Sequence, residues 1–223
     1  MHRTIEQNCQ DYYEQALKHY EEKEFEAAIR ILNELFTTVD TANLLGCCYE
    51  ELMNLGEAER SYIEATQLDP TEPAPWHNLA MLYNHLFQPF ESKKAYEQLF
   101  KLNPDDVVAL FEYAYVLLQL NMEDEAYEAL KTAYRLDPMD ECVVINLAIL
   151  LCHNKHRPKI ALRMLKKALV CSPMDAELLY HLAITAWDMG EELTCLQARD
   201  TLYQIDQEKC AELDERTGRQ SWN

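Results

Sequence analysis

The sequence predicts an all-α protein, an α-solenoid of tandem helix–turn–helix repeats with a C-terminal capping helix. Glycine is rare, at 4 of 223 residues, which is too few for the tight turns of a β-sandwich or barrel. Apolar residues recur in steps of three and four along most of the chain, which is helical spacing. A residue pair ending in proline returns at intervals of 34, 34 and 35 residues and stops a helix each time: Asp69-Pro70, Asn103-Pro104, Asp137-Pro138 and Ser172-Pro173.

Each interval is predicted to hold two packed helices, because three columns of residues keep their register from one interval to the next. The first column is Ala42, Trp76, Leu110, Val144 and Leu179. Four residues later a small residue lets the second helix approach closely: Gly46, Ala80, Ala114, Ala148 and Ala183. On the second helix, larger side chains fill the adjoining space: Tyr62, Tyr96, Leu130 and Leu165.

The helix ends follow from turn chemistry. Asn54, Asn121 and Asn154 lie where a first helix must turn, and asparagine tolerates the left-handed backbone conformation. Asp40 is expected to cap the helix that follows it. Residues 209–217, stopped by Gly218, predict a polar last helix that shields the open end of the stack.

The pattern resembles the tetratricopeptide repeat, a helix pair of 34 residues. Two stretches match nearly its whole signature: Ala42, Leu45, Gly46, Tyr49, Ala58, Tyr62, Ala65 and Pro70, and then Trp76, Leu79, Ala80, Tyr83, Tyr96 and Pro104. The resemblance implies one right-handed superhelix over 1–223, with repeats at about 9–38, 39–72, 73–106, 107–140, 141–175 and 176–207 and a cap at 208–218. The ends depart from the signature, since Arg199 replaces a large apolar residue and Gln207 stands in the proline column.

The resemblance also implies that the first helices line a concave groove. Aromatic and aliphatic residues between the packing columns would form an apolar strip there, and aromatics are common binding anchors. Asparagine amides could pair with an extended peptide backbone, because an amide both donates and accepts. The groove residues so predicted are Asn78, Met81, Phe111, Glu112, Tyr115, Ile145, Asn146, Ile149, Tyr180, His181, Ile184 and Trp187. The alternatives are that the asparagines are simply solvated and that the aromatics pack on each other.

The net charge of the chain restricts the class of partner that it can bind. The chain has 20 Lys+Arg against 39 Asp+Glu, a net charge of −19, which argues against nucleic acid. Some tetratricopeptide repeat proteins grip the acidic tails of heat-shock chaperones with cations on successive first helices, but the first helices from position 40 onward hold no Lys or Arg. We therefore expect a protein-binding scaffold for an amphipathic, non-acidic peptide segment. The alternatives are a secretion-type chaperone for apolar cargo and a self-associating structural protein, and the oligomeric state is left open.

A basic stretch interrupts this acidic chain. Between positions 142 and 174 there are six bases and no acids: Lys155, Arg157, Lys159, Arg163, Lys166 and Lys167. One interpretation is a solvated face. The other is a docking patch for an acidic partner, which could be the acidic N-terminal half of another copy.

No enzyme, metal site or cofactor is expected. Cys152, His153 and His156 form the densest group of metal ligands, but Lys155 and Arg157 would repel a cation and the ligands are not spaced as pairs. No serine sits on a glycine elbow. The eight cysteines fall in helical patterns and are expected to be small buried thiols in a reducing compartment. No segment predicts a membrane span or a signal peptide, so the expected location is the cytoplasm.

Overall fold

The computed structural model describes residues 2–153 and 156–218, with side chains from Cys9 onward. Within these ranges the chain forms thirteen helices and no strand. The first helices of the pairs are α1 (His2–Glu21), α3 (Val39–Glu51), α5 (Pro73–His85), α7 (Val107–Gln119), α9 (Glu141–His153) and α11 (Ala176–Asp188). The second helices are α2 (Phe25–Leu32), α4 (Leu55–Leu68), α6 (Pro89–Leu102), α8 (Glu123–Leu136), α10 (Pro158–Cys171) and α12 (Glu192–Ile205), and α13 (Gln207–Arg216) follows them.

The helices pack as an all-α solenoid, in two compact units, Met1–Pro104 (unit 1) and Asp105–Asn223 (unit 2). In unit 1, α1 packs on α2, α3 on α4 and α5 on α6, and the first helices α1, α3 and α5 contact one another in order. In unit 2, α7 packs on α8, α9 on α10 and α11 on α12, while α11 contacts both α9 and α13. The predicted fold class is confirmed, and the single superhelix over 1–223 stays a prediction.

The small and large columns meet in the core as the sequence predicts. Ala80 and Tyr96 are both 0% exposed, and Ala114 and Leu130 are each 1% exposed. Gly46 is the extreme case, because a Cβ atom added to it would lie 2.5 Å from Cδ1 of the buried Tyr62 ring. At that position only glycine leaves room for the partner side chain.

The turns within the helix pairs share one backbone device. A residue with positive φ ends each first helix: Lys23, Met53, Phe87, Asn121, His156 and Gly190. The next residue then donates its amide to a carbonyl five residues back, as from Asn54 to Tyr49 at 2.8 Å, which satisfies the end of the helix. At the α9–α10 turn the bond runs from Arg157 to Leu151, six residues back, because this repeat carries one extra residue.

The structure confirms the expected turn position at Asn121, where φ is 59°. At the α3–α4 turn the expectation was wrong by one residue: Met53 takes the left-handed conformation, and Asn54 precedes α4 with φ −89°. Asn154 lies outside the described residues. The closing hydrogen bond, rather than the preference of the side chain, fixes which residue adopts positive φ.

Phe87 is expected to be a strained position whose replacement by asparagine stabilises unit 1. Its φ is 55° and its side chain is 86% exposed, so it gains no packing for a conformation that disfavours it. Phe87→Asn should raise the free energy of unfolding by about 0.5 kcal/mol, since asparagine is enriched in this conformation. Urea denaturation measures the change. Phe90→Asn is the matched control, because Phe90 is also exposed but lies in α6; an equal gain there would contradict the backbone explanation.

Helix starts also differ in one detail from the sequence prediction. Asp40 lies inside the first turn of α3, and Thr38 is the capping residue, accepting from the Thr41 amide at 3.2 Å. At the C-terminal end, Asp206 both ends α12 and caps α13, accepting from the Lys209 amide at 2.9 Å. The predicted polar last helix is confirmed, with Gly218 beyond its end at φ 68°.

Candidate functional site

Unit 1 carries a cavity of about 520 Å³ on the surface formed by its first helices. We call it the acidic pocket. Its lining comes from all three first helices, from the α3–α4 turn and from α4: Tyr20 on α1, Cys47, Glu50 and Glu51 on α3, Met53 in the turn, Leu55 and Tyr62 on α4, and Asn78, Met81 and His85 on α5. No Lys or Arg is among these residues, so the pocket combines two carboxylates with aromatic and thioether surface.

Hydrogen bonds fix the floor of the acidic pocket. The Tyr62 hydroxyl donates to Oε2 of Glu50 at 2.9 Å, and Nδ1 of His85 lies 3.3 Å from Oε1 of the same carboxylate. Burial raises the pKa of the Cys47 thiol above its usual value, as it does for the Tyr20 hydroxyl, with the nearby carboxylates adding to both shifts. Both groups are therefore uncharged at neutral pH, and the carboxylates supply the charge of the pocket.

The two asparagines predicted for a peptide ladder already donate within the protein. Asn78 donates from Nδ2 to Oδ1 of Asn43 at 2.9 Å, across neighbouring first helices. Asn146 donates from Nδ2 to the Cys142 carbonyl at 2.9 Å, within its own helix. Nδ2 of Asn78 also lies 3.7 Å from Sγ of Cys47, so both of its N–H groups have partners within unit 1.

In unit 2 the predicted apolar strip is open on α7 and α9. Tyr115 is 56% exposed, and with Phe111, Leu118 and Asn146 it lines a shallow cleft above Ala114 and Leu130. Ile145 and Ile149 are half-buried on α9, and Glu112 is half-buried on α7. The open part of the strip thus offers one prominent aromatic side chain flanked by aliphatic surface and a carboxylate.

The strip is closed at its other end, where α13 covers α11. Tyr180 and Ile184 are 6% and 7% exposed, and the Tyr180 hydroxyl donates to Oε1 of Glu212 at 2.7 Å. Lys209 of α13 pairs with Glu177 of α11. Tyr180 and Ile184, which were predicted to line the groove, are therefore buried in unit 2 and not open to a ligand. The signal was present in the sequence, since Leu213 lies 34 residues after Leu179 and continues the first column.

His181 and Trp187 are partly buried on the same helix. A small cavity of about 100 Å³ is lined by His181, Cys152, Asp188 and Arg216, together with neighbouring apolar side chains. Burial lowers the pKa of His181, so the ring is neutral at neutral pH.

The repeat pattern identifies the family. Three consecutive segments, 39–72, 74–106 and 107–139, match the family model described as tetratricopeptide repeat. These three segments of the chain are tetratricopeptide repeats. No curated protein sequence matches it.

Several solved structures are similar to this chain in fold. YrrB, described as having an unusual peptide-binding site, is 16% identical over 78% of this chain and 91% of its own, with a TM-score of 0.66. PilF of Pseudomonas aeruginosa is 19% identical over 81% and 90%, with a TM-score of 0.63. A tetratricopeptide repeat protein of Parabacteroides merdae is 18% identical over 97% and 94%, with a TM-score of 0.68. At these identities the likeness is one of fold.

The predicted basic residues of this tetratricopeptide repeat protein lie on or next to α10. Arg157, Lys159, Arg163 and Lys167 are exposed. Lys166 differs, because its Nζ atom lies 3.3 Å from Oε2 of Glu191 and 3.3 Å from Oγ1 of Thr194. Lys155 lies outside the described residues.

A group of possible metal ligands lies at the C-terminal end of α1. Among the described residues, the one group of possible metal ligands is His19, Glu22 and Glu24 at the end of α1, and there His19 and Glu24 pair at 2.7 Å. The described part of the chain holds no helix with the length and apolar character that crossing a membrane requires.

The cysteines divide more evenly than the sequence suggested. Cys48, Cys195 and Cys210 are buried, as expected, but Cys142 and Cys171 are exposed, and the remaining three are intermediate. All eight are free thiols. The two exposed ones lie at the start of α9 and the end of α10, outside the packed columns.

Proposed function

We propose that this protein is a non-enzymatic scaffold whose first helices bind an amphipathic, non-acidic peptide segment. The tetratricopeptide repeat fold is that of a protein–protein interaction module. What we add is the chemical character of the bound peptide. The acidic pocket is the observation that carries it. Its volume of about 520 Å³ accommodates a long side chain, and Glu50 and Glu51 favour a Lys or Arg there.

The exposed part of the apolar strip in unit 2 supports the same ligand. Tyr115 and Phe111 offer aromatic surface to the apolar side of a peptide, and rigid aromatics lose little conformational entropy on binding. Half-buried Glu112 stands between them in the sequence and disfavours an acidic ligand. Micromolar affinity, about −8 kcal/mol, is the scale that a few such anchors supply.

Peptide selection on the immobilised full chain tests the proposal. The selected sequences should combine apolar residues with Lys or Arg. The double variant Phe111→Ala/Tyr115→Ala should lower the affinity for a selected peptide by about tenfold or more, because it removes the aromatic anchors. Isothermal titration calorimetry gives the affinities, after circular dichroism has shown that both proteins are folded.

Two variants make this test specific. Phe87→Ala/Phe90→Ala removes two exposed rings near the start of α6 and should change the affinity by less than about twofold. Glu51→Gln should lower the affinity for peptides that carry Lys or Arg. It should leave the affinity for the same peptides with glutamine in place of Lys or Arg unchanged. Selection of acidic peptides, or equal losses in both double variants, would overturn the proposal.

The proposed location is the cytoplasm, a reducing compartment that suits a chain with eight free cysteines, two of them exposed.

A further inference from the structure

Helix α10 differs in charge from every other second helix of the protein. It carries Lys159, Arg163, Lys166 and Lys167 and no acidic residue, whereas each of the other second helices contains at least one Glu or Asp. The chain as a whole has a net charge of −19. A cationic helix in so acidic a protein needs an explanation specific to that helix.

Three of these cations form a row along the exposed face of α10. Lys159, Arg163 and Lys167 follow each other at intervals of four residues, so they lie on one face of α10, about 6 Å apart and about 12 Å from end to end. All three are exposed. We call them the basic stripe. The opposite face of α10 is buried, with Ala161, Leu165 and Ala168 at 0–2% exposure.

The basic stripe is not neutralised within the described part of the protein. Cations on other second helices pair with acids one turn away, as Arg60 does with Glu57, Lys94 with Glu91 and Lys131 with Glu128. No such acid exists on α10, and in the described residues none of the three stripe cations meets a carboxylate. Like charges spaced four apart repel one another along a helix. The arrangement is therefore unfavourable for α10 alone and favourable only when carboxylates come from outside.

We propose that the basic stripe docks an acidic segment of a partner protein, on a surface separate from the peptide-binding first helices. The segment matches the stripe: carboxylates one helical turn apart, followed by an apolar residue. That last feature comes from Val170, which lies just beyond Lys167 on the same side and is 81% exposed. Val170 gives the docked segment an apolar contact at one end of a row of ion pairs.

The width of the stripe favours a protein segment over a nucleic acid or a membrane. It is one helix wide. Glu191 precedes the first residue of α12, Glu192, and it already pairs with Lys166 at 3.3 Å. An extended anionic surface would bring its charge against these carboxylates and against the overall negative charge of the chain. A single acidic helix or strand meets the cations alone.

The test uses the full chain and a defined probe. The probe is a fluorescent helix-forming peptide with Glu at positions i, i+4 and i+8 and Leu at i+11; a second peptide has the same composition with the Glu residues spread around the helix. Lys159→Gln/Arg163→Gln/Lys167→Gln removes the stripe. Arg60→Gln/Lys94→Gln/Lys131→Gln removes the same charge from paired positions. Anisotropy gives the affinities at low and physiological salt.

The stripe variant should bind the first peptide about tenfold or more weakly than the wild type, and the paired-charge control within about twofold of it. The scrambled peptide should bind more weakly, and affinity should fall as salt rises. Equal losses in both triple variants, no discrimination between the peptides, or tighter binding to a DNA duplex or to phosphatidylserine vesicles would overturn the proposal. So would salt-sensitive self-association in sedimentation that the stripe variant abolishes, since the occupant would then be a second copy.

Discussion

Replacing Gly46 by alanine is expected to destabilise unit 1 by about 2 kcal/mol, although alanine is the better helix former by about 1 kcal/mol. The added Cβ would lie 2.5 Å from Cδ1 and 2.9 Å from Cζ of Tyr62. That ring is 1% exposed and is held by its hydroxyl bond to Glu50, so it has no room to move aside. Urea denaturation followed by circular dichroism measures the loss.

Gly56 provides the matched control for this substitution. It also lies in a helix, but an added Cβ would meet nothing within 4 Å. Gly56→Ala should therefore be neutral or stabilising by up to about 1 kcal/mol. Gly46→Ala/Tyr62→Leu copies the pairing of Ala114 with Leu130 and should recover part of the loss that Gly46→Ala causes. An unchanged stability in Gly46→Ala would show that Tyr62 does not need the space.

Replacing Arg199 by methionine is expected to destabilise the C-terminal end of unit 2 by about 2 kcal/mol. Arg199 binds Asp214 of α13 with two hydrogen bonds, at 2.6 Å from Nε and 2.5 Å from Nη2. The two side chains are 14% and 19% exposed. Loss of the guanidinium leaves the Asp214 carboxylate largely desolvated and without its ion-pair partner, which weakens the attachment of α13. Urea denaturation gives the total change, and hydrogen exchange at the α13 amides locates it.

Lys166→Gln separates the effect of a buried pair from that of an exposed one. Lys166 and Glu191 are 47% and 41% exposed, so breaking their ion pair should cost less than about 0.5 kcal/mol. Arg199→Leu/Asp214→Leu replaces the pair by apolar side chains, with leucine at the position that Leu130 and Leu165 occupy in earlier repeats, and should restore most of the stability. Equal losses for Arg199→Met and Lys166→Gln would contradict the role given to the bidentate pair.

The fold was predictable because the same spacing of small and apolar residues recurs in successive repeats, although it is a weak indication in any one of them. A single column such as Gly46 and Ala80 means little alone, but the same spacing in successive repeats fixes which face of each helix is buried. The helix boundaries followed from the proline pairs and, at the last helix, from Gly218, because these residues act locally on the backbone. Repeated local rules therefore carried most of the fold.

The turn positions were less predictable. Positive φ falls on Met53 and Phe87, two residues that disfavour it. The hydrogen bond that closes each first helix selects the residue by its position, and the packing of the helix pair offsets the local strain. The preference of a single asparagine for positive φ is too small to shift this closing hydrogen bond by one residue.

The candidate site was the least predictable part. The columns showed which residues of a first helix leave the core, but not which of them a later helix would cover. Tyr180 is buried because α13 packs on α11 and Glu212 of α13 accepts its hydroxyl hydrogen bond. No proline pair precedes α13, so the repeat pattern did not show that this helix would cover Tyr180. The acidic pocket was missed as a unit because Tyr20, Glu50 and Met81 come from three different repeats, and the depth between them depends on the packing angle.

The buried cysteines give the protein internal reporters of its own opening. Cys48 in unit 1 and Cys210 in unit 2 are 0% and 1% exposed. Burial raises the pKa of Cys48 to about 12 and also raises that of Cys210. Only the thiolate reacts readily, so alkylation of either residue requires a local or global opening event. Once exposed Cys142 and Cys171 and the three partly exposed cysteines (Cys9, Cys47 and Cys152) are replaced, the labelling rates of Cys48 and Cys210 compare how readily the two units open, with no foreign probe introduced.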